Sequence, residues 1–315
     1  MSRILVSGAS GIVGYGILRN LKDGGHFLIG TTIYEESPAN CFADIVLNPP
    51  MTVDPTYIEW LTGTIEEYKI DMIIPGIEKD MEVWNENRDI LERTGAVVLL
   101  NNSELIRLCL DKWEFYKVLK RELPSLAIPG TIDYEEALAM KEPLLLKPRC
   151  GFGSKGIVRL KDVSELAKYK DSIGKELMVQ KMIGDDNHEY TVSGFFDESS
   201  ELKAIIAFKR KLSGSGYTEN AVVIKEEDYV ETLKALAKVF KPVGPTNFQF
   251  RNSEDGLRLL EINPRISSST SIKAAFGYNE EVMSLTQFIA GESVIQPVIK
   301  RGHAMRYVED FIVYE

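Results

Sequence analysis

The first third of the chain alternates short apolar runs with longer segments in which apolar residues recur every three to four positions. The two periods indicate different elements, because side chains alternate faces along a strand whereas a helix repeats about every 3.6 residues. The expected strands are Arg3–Ser7, Phe27–Ile33, Ile45–Leu47, Met72–Pro75 and Val97–Leu100, and the expected helices are Ile12–Lys22, Pro55–Tyr68 and Lys79–Arg93. Strands separated by helices predict a parallel sheet with right-handed crossovers.

The pattern changes near residues 101–103. Ser103 is expected to cap one helix and Asp111 to begin another. Strand-like runs then dominate at Leu144–Lys147, Gly156–Leu160, Leu177–Gln180, Tyr190–Phe196 and Lys203–Lys209, with a helix at Glu227–Phe240 before a hairpin at Thr246–Glu261. This second part is therefore predicted to be α+β, with mainly antiparallel sheets.

Composition and charge exclude several classes of function. The formal net charge of -10 is spread along the chain, which argues against nucleic acid as a partner because phosphate binding needs a basic face. No apolar run approaches the roughly 20 residues that span a bilayer, and the N-terminus lacks an export signal, so we expect a cytoplasmic protein with no membrane partner. The three cysteines and three histidines show no metal-ligand spacing, which disfavours a zinc site.

A first glycine cluster, GASGIVG at residues 8–14, joins the first predicted strand to the first helix. Glycines in this position can bring backbone N–H groups to a phosphate, and Glu35 and Glu36 follow where a ribose-binding acid is expected. An NAD(P)-dependent oxidoreductase is therefore one alternative. The same glycines also permit close packing of helix on strand without a ligand, and no Tyr-x-x-x-Lys pair follows to donate a proton.

A second glycine-rich segment points to phosphate binding more directly. A strand ends at Lys147 and is followed by CGFGSKG at residues 150–156, where glycines allow the backbone to fold over phosphate oxygens. The loop positions concerned are Gly151, Gly153, Ser154 and Gly156. Lys147 can supply a charge at the phosphates, with Lys112 as a second candidate. Taken alone, the segment also fits a glycine-rich turn, and its spacing is not that of a P-loop.

A strand ending near Gln180 leads into a polar turn before another strand resumes at Glu189. Free backbone groups at such an end can bond the edge of an adenine ring, and these two side chains can bond ribose hydroxyls. A hairpin with polar ends is the competing interpretation.

The most specific feature is the hairpin over residues 246–265, whose arms alternate polar and apolar residues. A three-residue turn ending at Gly256 places Gln249 opposite Glu261 and Asn247 opposite Asn263. The apolar side chains expected on the core face are Phe248, Phe250, Leu260 and Ile262. The four polar side chains then share the other face.

This polar face is chemically suited to a magnesium site. Oxygen ligands that carry few charges suit Mg²⁺ held partly by substrate phosphates. Arg265 follows the second arm and can direct its guanidinium at transferring phosphoryl oxygens.

These segments, in this order, resemble the ATP-grasp superfamily, and in particular one synthetase unit of the carbamoyl phosphate synthase large subunit. The motifs are Asp111-Lys112, LLLKPRCGFGSKG, QKMIGDDNHEYTV and NFQF…LLEINPRISSSTS, and the resemblance covers nearly the whole chain. It implies a Rossmann-like pre-ATP-grasp domain over residues 1–101, followed by a two-part ATP-grasp domain. The first part, 102–182, contains the phosphate-binding loop, and the second, 183–315, contains the magnesium site.

The resemblance also implies individual roles. The residues implied at the nucleotide are Lys112 and Lys147 at the phosphates, the glycine loop as a lid, the backbone of Lys181, Met182 and Ile183 at adenine, and Gln180 and Glu189 at ribose. The implied ligands of Mg²⁺, with Mn²⁺ as the alternative ion, are Gln249, Glu261 and Asn263. Arg265 and Lys147 are the implied catalytic residues.

The activity implied is ATP-dependent ligation of a small-molecule carboxylate to an amine or ammonia through an acyl phosphate. One synthetase unit is not a complete carbamoyl phosphate synthetase, and Ser268 stands where the synthetase pattern has a further arginine. Bicarbonate is therefore disfavoured, and a cation from residues 209–211 is expected to meet an organic carboxylate. The remaining alternative is a non-catalytic Mg-ATP-binding subunit, and a homo-oligomer is compatible with either function.

Overall fold

The computed structural model describes residues 1–140, 143–151, 156–185, 189–214, 216–254, 256–310 and 312. The helices are α1 (Ile12–Leu21), α2 (Tyr57–Tyr68), α3 (Glu78–Glu86), α4 (Arg88–Glu92), α5 (Ser103–Leu110), α6 (Lys112–Glu122), α7 (Tyr134–Leu138), α8 (Glu227–Phe240), α9 (Thr270–Ala275) and α10 (Glu280–Phe288). The strands are β1 (Arg3–Val6), β2 (Phe27–Thr31), β3 (Ile45–Leu47), β4 (Met72–Ile74), β5 (Val97–Val98), β6 (Gly130–Thr131), β7 (Leu144–Pro148), β8 (Val158–Leu160), β9 (Leu177–Lys181), β10 (Glu189–Phe196), β11 (Leu202–Leu212), β12 (Thr218–Val223), β13 (Gly244–Ser253), β14 (Gly256–Asn263) and β15 (His303–Met305).

The N-terminal sheet has the strand order β3-β2-β1-β4-β5, and its pairs are parallel, which confirms the predicted parallel sheet. Two apolar clusters pack against it, in line with helices on both faces. The segment predicted as one helix over Lys79–Arg93 is instead α3 and α4. Asn87 separates them with φ -111° and ψ 21°, which is outside the helical region.

The first glycine cluster brings α1 against the parallel sheet. A Cβ atom on Gly14 would lie 2.4 Å from the carbonyl oxygen of Gly8, and one on Gly76 would lie 2.1 Å from that of Ser7. Only glycine allows backbones to approach so closely. These glycines therefore serve close packing of α1, β1 and the connection from β4 to α3.

The rest of the chain forms two mainly antiparallel sheets, as predicted. Their orders are β6-β9-β7-β8 and β14-β13-β10-β11-β12-β15. One apolar cluster joins the two sheets through α6 and α8, with Phe115 and Phe240 stacked at 5.3 Å between ring centroids. The sequence did not predict β12, β15, α9 or α10, since these segments are short or too polar to show a clear period.

The cap of α5 differs from the prediction by one residue. Asn102, not Ser103, accepts hydrogen bonds from the backbone N–H groups of Glu104 at 2.8 Å and Leu105 at 3.3 Å. Asn and Ser are about equally good caps, so composition alone did not fix the position. Asp111 caps α6 as predicted. Among the described residues, no helix combines the length and apolar character needed to cross a bilayer.

Candidate active site between the parallel and antiparallel sheets

A cavity of about 270 Å³ is lined by residues of both antiparallel sheets and of helices that include α1 and α3 from the N-terminal part. The predicted site residues on its wall are Lys112, Lys147, Gly151, Gln180, Gln249, Glu261, Asn263 and Arg265. The predicted residues that do not line it are Gly156, Lys181, Met182, Ile183 and Glu189. Gly153 and Ser154 lie outside the described residues. The folded chain thus gathers residues more than 150 positions apart around one space.

The β13–β14 hairpin has the predicted register at the site. Gln249 pairs with Glu261, and Asn247 pairs with Asn263. Pairing continues to Ser253 and Gly256, so the turn is one residue shorter than predicted. A β-bulge near Phe250 adds one residue to β14 and so offsets the shorter turn. The predicted pairs therefore still hold.

The bulge changes which leucine belongs to the core. Phe250 pairs with Leu259, and Leu259 is buried in the apolar cluster where Leu260 was predicted. Leu260 is instead partly exposed and lines the cavity. An extra residue in one strand shifts the alternation, so that the residues beyond it point to the opposite face of the sheet. The alternating pattern alone cannot reveal this.

The end of β14 connects to the N-terminal sheet through Arg265. Asn263 donates from Nδ2 to Glu261 Oε1 at 3.1 Å, and Arg265 Nη2 donates to Asn263 Oδ1 at 3.3 Å. Arg265 Nη2 also forms an ion pair with Glu78, at the start of α3. Glu78 lines the cavity and was not predicted, although it follows a strand of a parallel sheet, where α/β proteins usually bind ligands.

Glu189 lies behind the cavity wall, between two arginines. Its exposed fraction is 5%, and its oxygens accept from Arg210 Nη2 at 2.7 Å and Arg251 Nη2 at 2.9 Å. Arg210 also donates to Gln249 Oε1 at 2.7 Å and lines the cavity. In this arrangement Glu189 orients Arg210, and the predicted ribose contact of Glu189 stays a prediction.

Glu189→Ala should lower the free energy of unfolding by about 3–5 kcal/mol, the cost of leaving a buried ion pair without one partner. Both arginines would keep their charge in a nearly closed space. Urea denaturation at neutral pH measures the change. Glu231→Ala, which removes the exposed partner of Lys234, should leave the free energy of unfolding almost unchanged. Equal effects of the two substitutions would contradict a buried structural role for Glu189.

Two lysines stand at the junction of α6 and β7. Lys147 lies deep in the protein, although part of its side chain reaches the cavity, and burial lowers its pKa to about 8. Lys112 donates from Nζ to the carbonyl oxygen of Gly151 at 2.5 Å. An ion pair of 2.5 Å between Arg149 and Asp111 joins the end of β7 to the start of α6. Both lysines are therefore held on the same side of the cavity.

The segment predicted to hold adenine is partly engaged with the protein. The N–H of Lys181 donates to Pro129 at 2.9 Å and that of Met182 to Pro143 at 2.8 Å. These two donors already bond the protein, so adenine recognition by Lys181, Met182 and Ile183 stays a prediction.

Unpartnered polar atoms in the wall fit a polar ligand. Gln180 Oε1 and Asn247 Nδ2 are buried and have no hydrogen-bond partner among the described residues. Both residues line the cavity, and Asn247 Oδ1 is already held by Thr191 at 2.6 Å. Buried polar atoms usually find partners, so their placement favours a ligand or water there.

The candidate metal ligands are one carboxylate and two amides. Among the described residues, no group of three or more His, Cys, Asp or Glu side chains could hold a metal ion. The set of Gln249, Glu261 and Asn263 therefore fits Mg²⁺ that shares its coordination with phosphates, and not a closed protein site.

Three comparisons with known proteins agree with this geometry. A family model described as "ATP-grasp in the biosynthetic pathway with Ter operon" matches residues 174–311. The carbamoyl phosphate synthase large chain of Methanothrix thermoacetophila is 24% identical over 79% of this chain and 25% of its own length. That of Methanosarcina mazei is 23% identical over 82% and 26%. The chain thus spans about a quarter of the length of these relatives.

Solved structures share the fold. N5-carboxyaminoimidazole synthetase from Staphylococcus aureus has a TM-score of 0.76 and 14% identity, over 95% of this chain and 80% of that one. The biotin carboxylase domain dimer of Hydrogenobacter thermophilus 2-oxoglutarate carboxylase, in complex with MgADP, ADP and bicarbonate, has a TM-score of 0.75 and 20% identity, over 96% and 73%. Residues 174–311 therefore match an ATP-grasp family model, and the chain has the fold of ATP-grasp enzymes and resembles a single synthetase unit of the carbamoyl phosphate synthase large subunit.

Proposed function

We propose that the protein is an ATP-dependent ligase that activates a small-molecule carboxylate as an acyl phosphate and joins it to an amine or ammonia. The observation that carries this proposal is the linked set of Glu261, Asn263 and Arg265, which faces the same cavity as Lys147 and Arg210. Simple nucleotide binding does not need an arginine beside the metal ligands, whereas an arginine there can stabilise the charge of a transferring phosphoryl group.

The residues present fit Mg-ATP. Lys147 and Lys112 would neutralise phosphate oxygens, and backbone N–H groups around Gly151 and Gly156 would cover them. Glu261, Asn263 and Gln249 would hold Mg²⁺, with Mn²⁺ as an alternative. When bound, the metal ion withdraws charge from the phosphate oxygens. Gln180 would satisfy its buried Oε1 against a hydroxyl of the nucleotide.

The reaction follows from these placements. A carboxylate oxygen attacks the γ-phosphorus in line, the bond to the β-phosphate oxygen breaks, and ADP leaves. Arg265 donates to the transferring phosphoryl oxygens and must share or leave its ion pair with Glu78. The amine then attacks the acyl carbon, and inorganic phosphate leaves. Exclusion of water from the substrate-loaded cavity would protect the acyl phosphate from hydrolysis.

Hydroxylamine should trap the acyl phosphate as a hydroxamate. We expect ADP and hydroxamate to appear in equal amounts when the protein meets MgATP, hydroxylamine and an accepted acid from a panel of amino acids, dicarboxylates and sugar acids. Mass spectrometry of the hydroxamate identifies the acid. Omission of the acid, and a reaction without Mg²⁺, are the controls. Tight MgATP binding without ADP release for any acid would favour a non-catalytic ATP-binding subunit.

A homo-oligomer fits this function, since the Hydrogenobacter thermophilus biotin carboxylase domain is described as a dimer. We propose it for this chain as well, and light scattering on the purified protein tests it.

A further inference from the structure

Arg306, just beyond β15, is held against two segments that line the cavity. Its Nε donates to the carbonyl oxygen of Thr218 at 2.8 Å, and its Nη2 donates to that of Ser268. Its backbone N–H donates to Glu219 at 2.9 Å. Ser268 itself lines the cavity, and so does Tyr217, the neighbour of Thr218. Main chain and side chain together therefore fix this guanidinium beside the cavity.

The structure places no acidic partner for this guanidinium among the residues that it describes. Among the described residues, no carboxylate lies within ion-pair distance of Arg306. Burial lowers its pKa, nearby Arg19 lowers it further, and only the phenols of Tyr15 and Tyr217 act in the opposite direction. A partly buried cation without a counter-charge is costly, so its retention suggests an anion from outside the chain.

Arg210 and Arg265, the two arginines on the cavity wall, differ in this respect. Arg210 pairs with Glu189, and Arg265 pairs with Glu78. Arg301, five positions before Arg306, pairs with Glu226 at 2.8 Å. Arg306 thus differs from the two arginines on the cavity wall and from the exposed Arg301.

Arg265 and Arg306 bind the two ends of one short segment. Arg265 Nη1 donates to the carbonyl oxygen of Ile266 at 3.1 Å, and Arg306 donates to that of Ser268. Two residues of chain span at most about 7 Å. Since each guanidinium bonds one end of this segment, two anionic groups of one small molecule can meet both of them.

We propose that Arg306, with the neighbouring Tyr217 and Ser268 hydroxyls, forms a subsite for a second oxyanion group of the carboxylate substrate. The substrate would then be a dianion, either a dicarboxylate or an acid that carries a phosphate. This assignment rests on the proposed function for the first carboxylate, which reacts beside Arg265. The subsite itself is a property of equilibrium binding and does not depend on turnover.

Calorimetry tests the subsite by comparing the affinities of matched acids. The sample is the full chain, saturated with Mg²⁺ and a non-hydrolysable ATP analogue. One arm compares malonate, succinate and glutarate with propionate, butyrate and valerate, and the other compares 3-phosphoglycerate with glycerate. We expect at least one dianion to bind about tenfold tighter than its partner, as a charge-assisted hydrogen bond predicts. The arm that shows the preference distinguishes carboxylate from phosphate.

Arg306→Met should bring that ratio to within about twofold, because it removes the charge and keeps much of the side-chain volume. Arg301→Met is the matched control, and it should leave the ratio unchanged. The proposal is overturned if the unmodified protein prefers no dianion, or if Arg306→Met keeps the preference. The first comparison needs no variant, so it decides the matter even if Arg306→Met fails to fold.

The two proposals fail in different ways. A dianion preference without hydroxamate or ADP would refute the ligase function and keep the subsite. Hydroxamate formation with no preference between matched acids would keep the ligase function and refute the subsite.

Discussion

Glu261→Ala should abolish ADP formation and leave the fold intact. Glu261 is the sole carboxylate among the three proposed metal ligands, and the amides of Gln249 and Asn263 carry no charge to replace it. Groups that merely support a metal ligand cost about 10–100-fold in activity when removed, so loss of the charged ligand should cost more than about 100-fold. The side chain accepts a hydrogen bond from Asn263 at its partly exposed position on β14, so little stability depends on it.

Steady-state ADP release at saturating MgATP, together with a thermal melt, tests this expectation. Glu254→Ala is a matched control, since Glu254 lies exposed at the turn of the same hairpin. It should retain full activity. If Glu261→Ala turned over as fast as the control, the metal assignment on β14 would be wrong.

Local pattern was enough to predict most of the fold. The parallel sheet follows from the alternation of strands with helices along the chain, and the β13–β14 register follows from the polar–apolar alternation that burial of one face enforces. The boundary between α3 and α4 and the bulge near Phe250 did not follow, because each depends on a single residue whose backbone leaves the regular conformation. Leu259 and Leu260 are equally apolar, so only the three-dimensional register decides which one is buried.

The residues of the candidate site also fall into those that local sequence pattern predicts and those that it does not. The residues predicted for the cavity wall belong to continuous motifs, in which spacing carries information. Glu78, on the cavity wall, and Arg306, beside it, lie far from those motifs in sequence and reach these positions only through tertiary packing. Glu189 illustrates the converse, since its polar neighbours in sequence suggested a ligand contact whereas its partners in space are Arg210 and Arg251.

Lys147→Met should weaken MgATP binding and stabilise the protein. Loss of one partner from a buried charge pair costs about 2–5 kcal/mol of binding, which is roughly 30-fold or more in affinity. In the free protein, burial holds the pKa of Lys147 at about 8 against an ordinary value of 10.5. The folded state is therefore destabilised by the buried charge whenever this lysine is protonated. The substitution removes this destabilisation.

The pH dependence of both effects is fixed by that lowered pKa. Below about pH 8 the lysine is charged in folded and unfolded chains alike, so the full penalty applies and the variant is the more stable, by at most about 3 kcal/mol. Water in the cavity reduces this figure. As pH rises from about 8 to 10.5, the folded chain releases its proton first, and the stability of the unmodified protein approaches that of the variant.

As pH rises, the affinity of the unmodified protein for MgATP should fall, while its stability rises towards that of the variant. The unmodified protein should bind more weakly above about pH 8, because the neutral amine must take up a proton to meet a phosphate, whereas Lys147→Met should lack this component of the pH profile. Urea denaturation and nucleotide titration at pH 7 and 9 measure both quantities. Unchanged affinity together with lower stability in the variant would identify Lys147 as a structural residue, and the phosphate assignment would then fall.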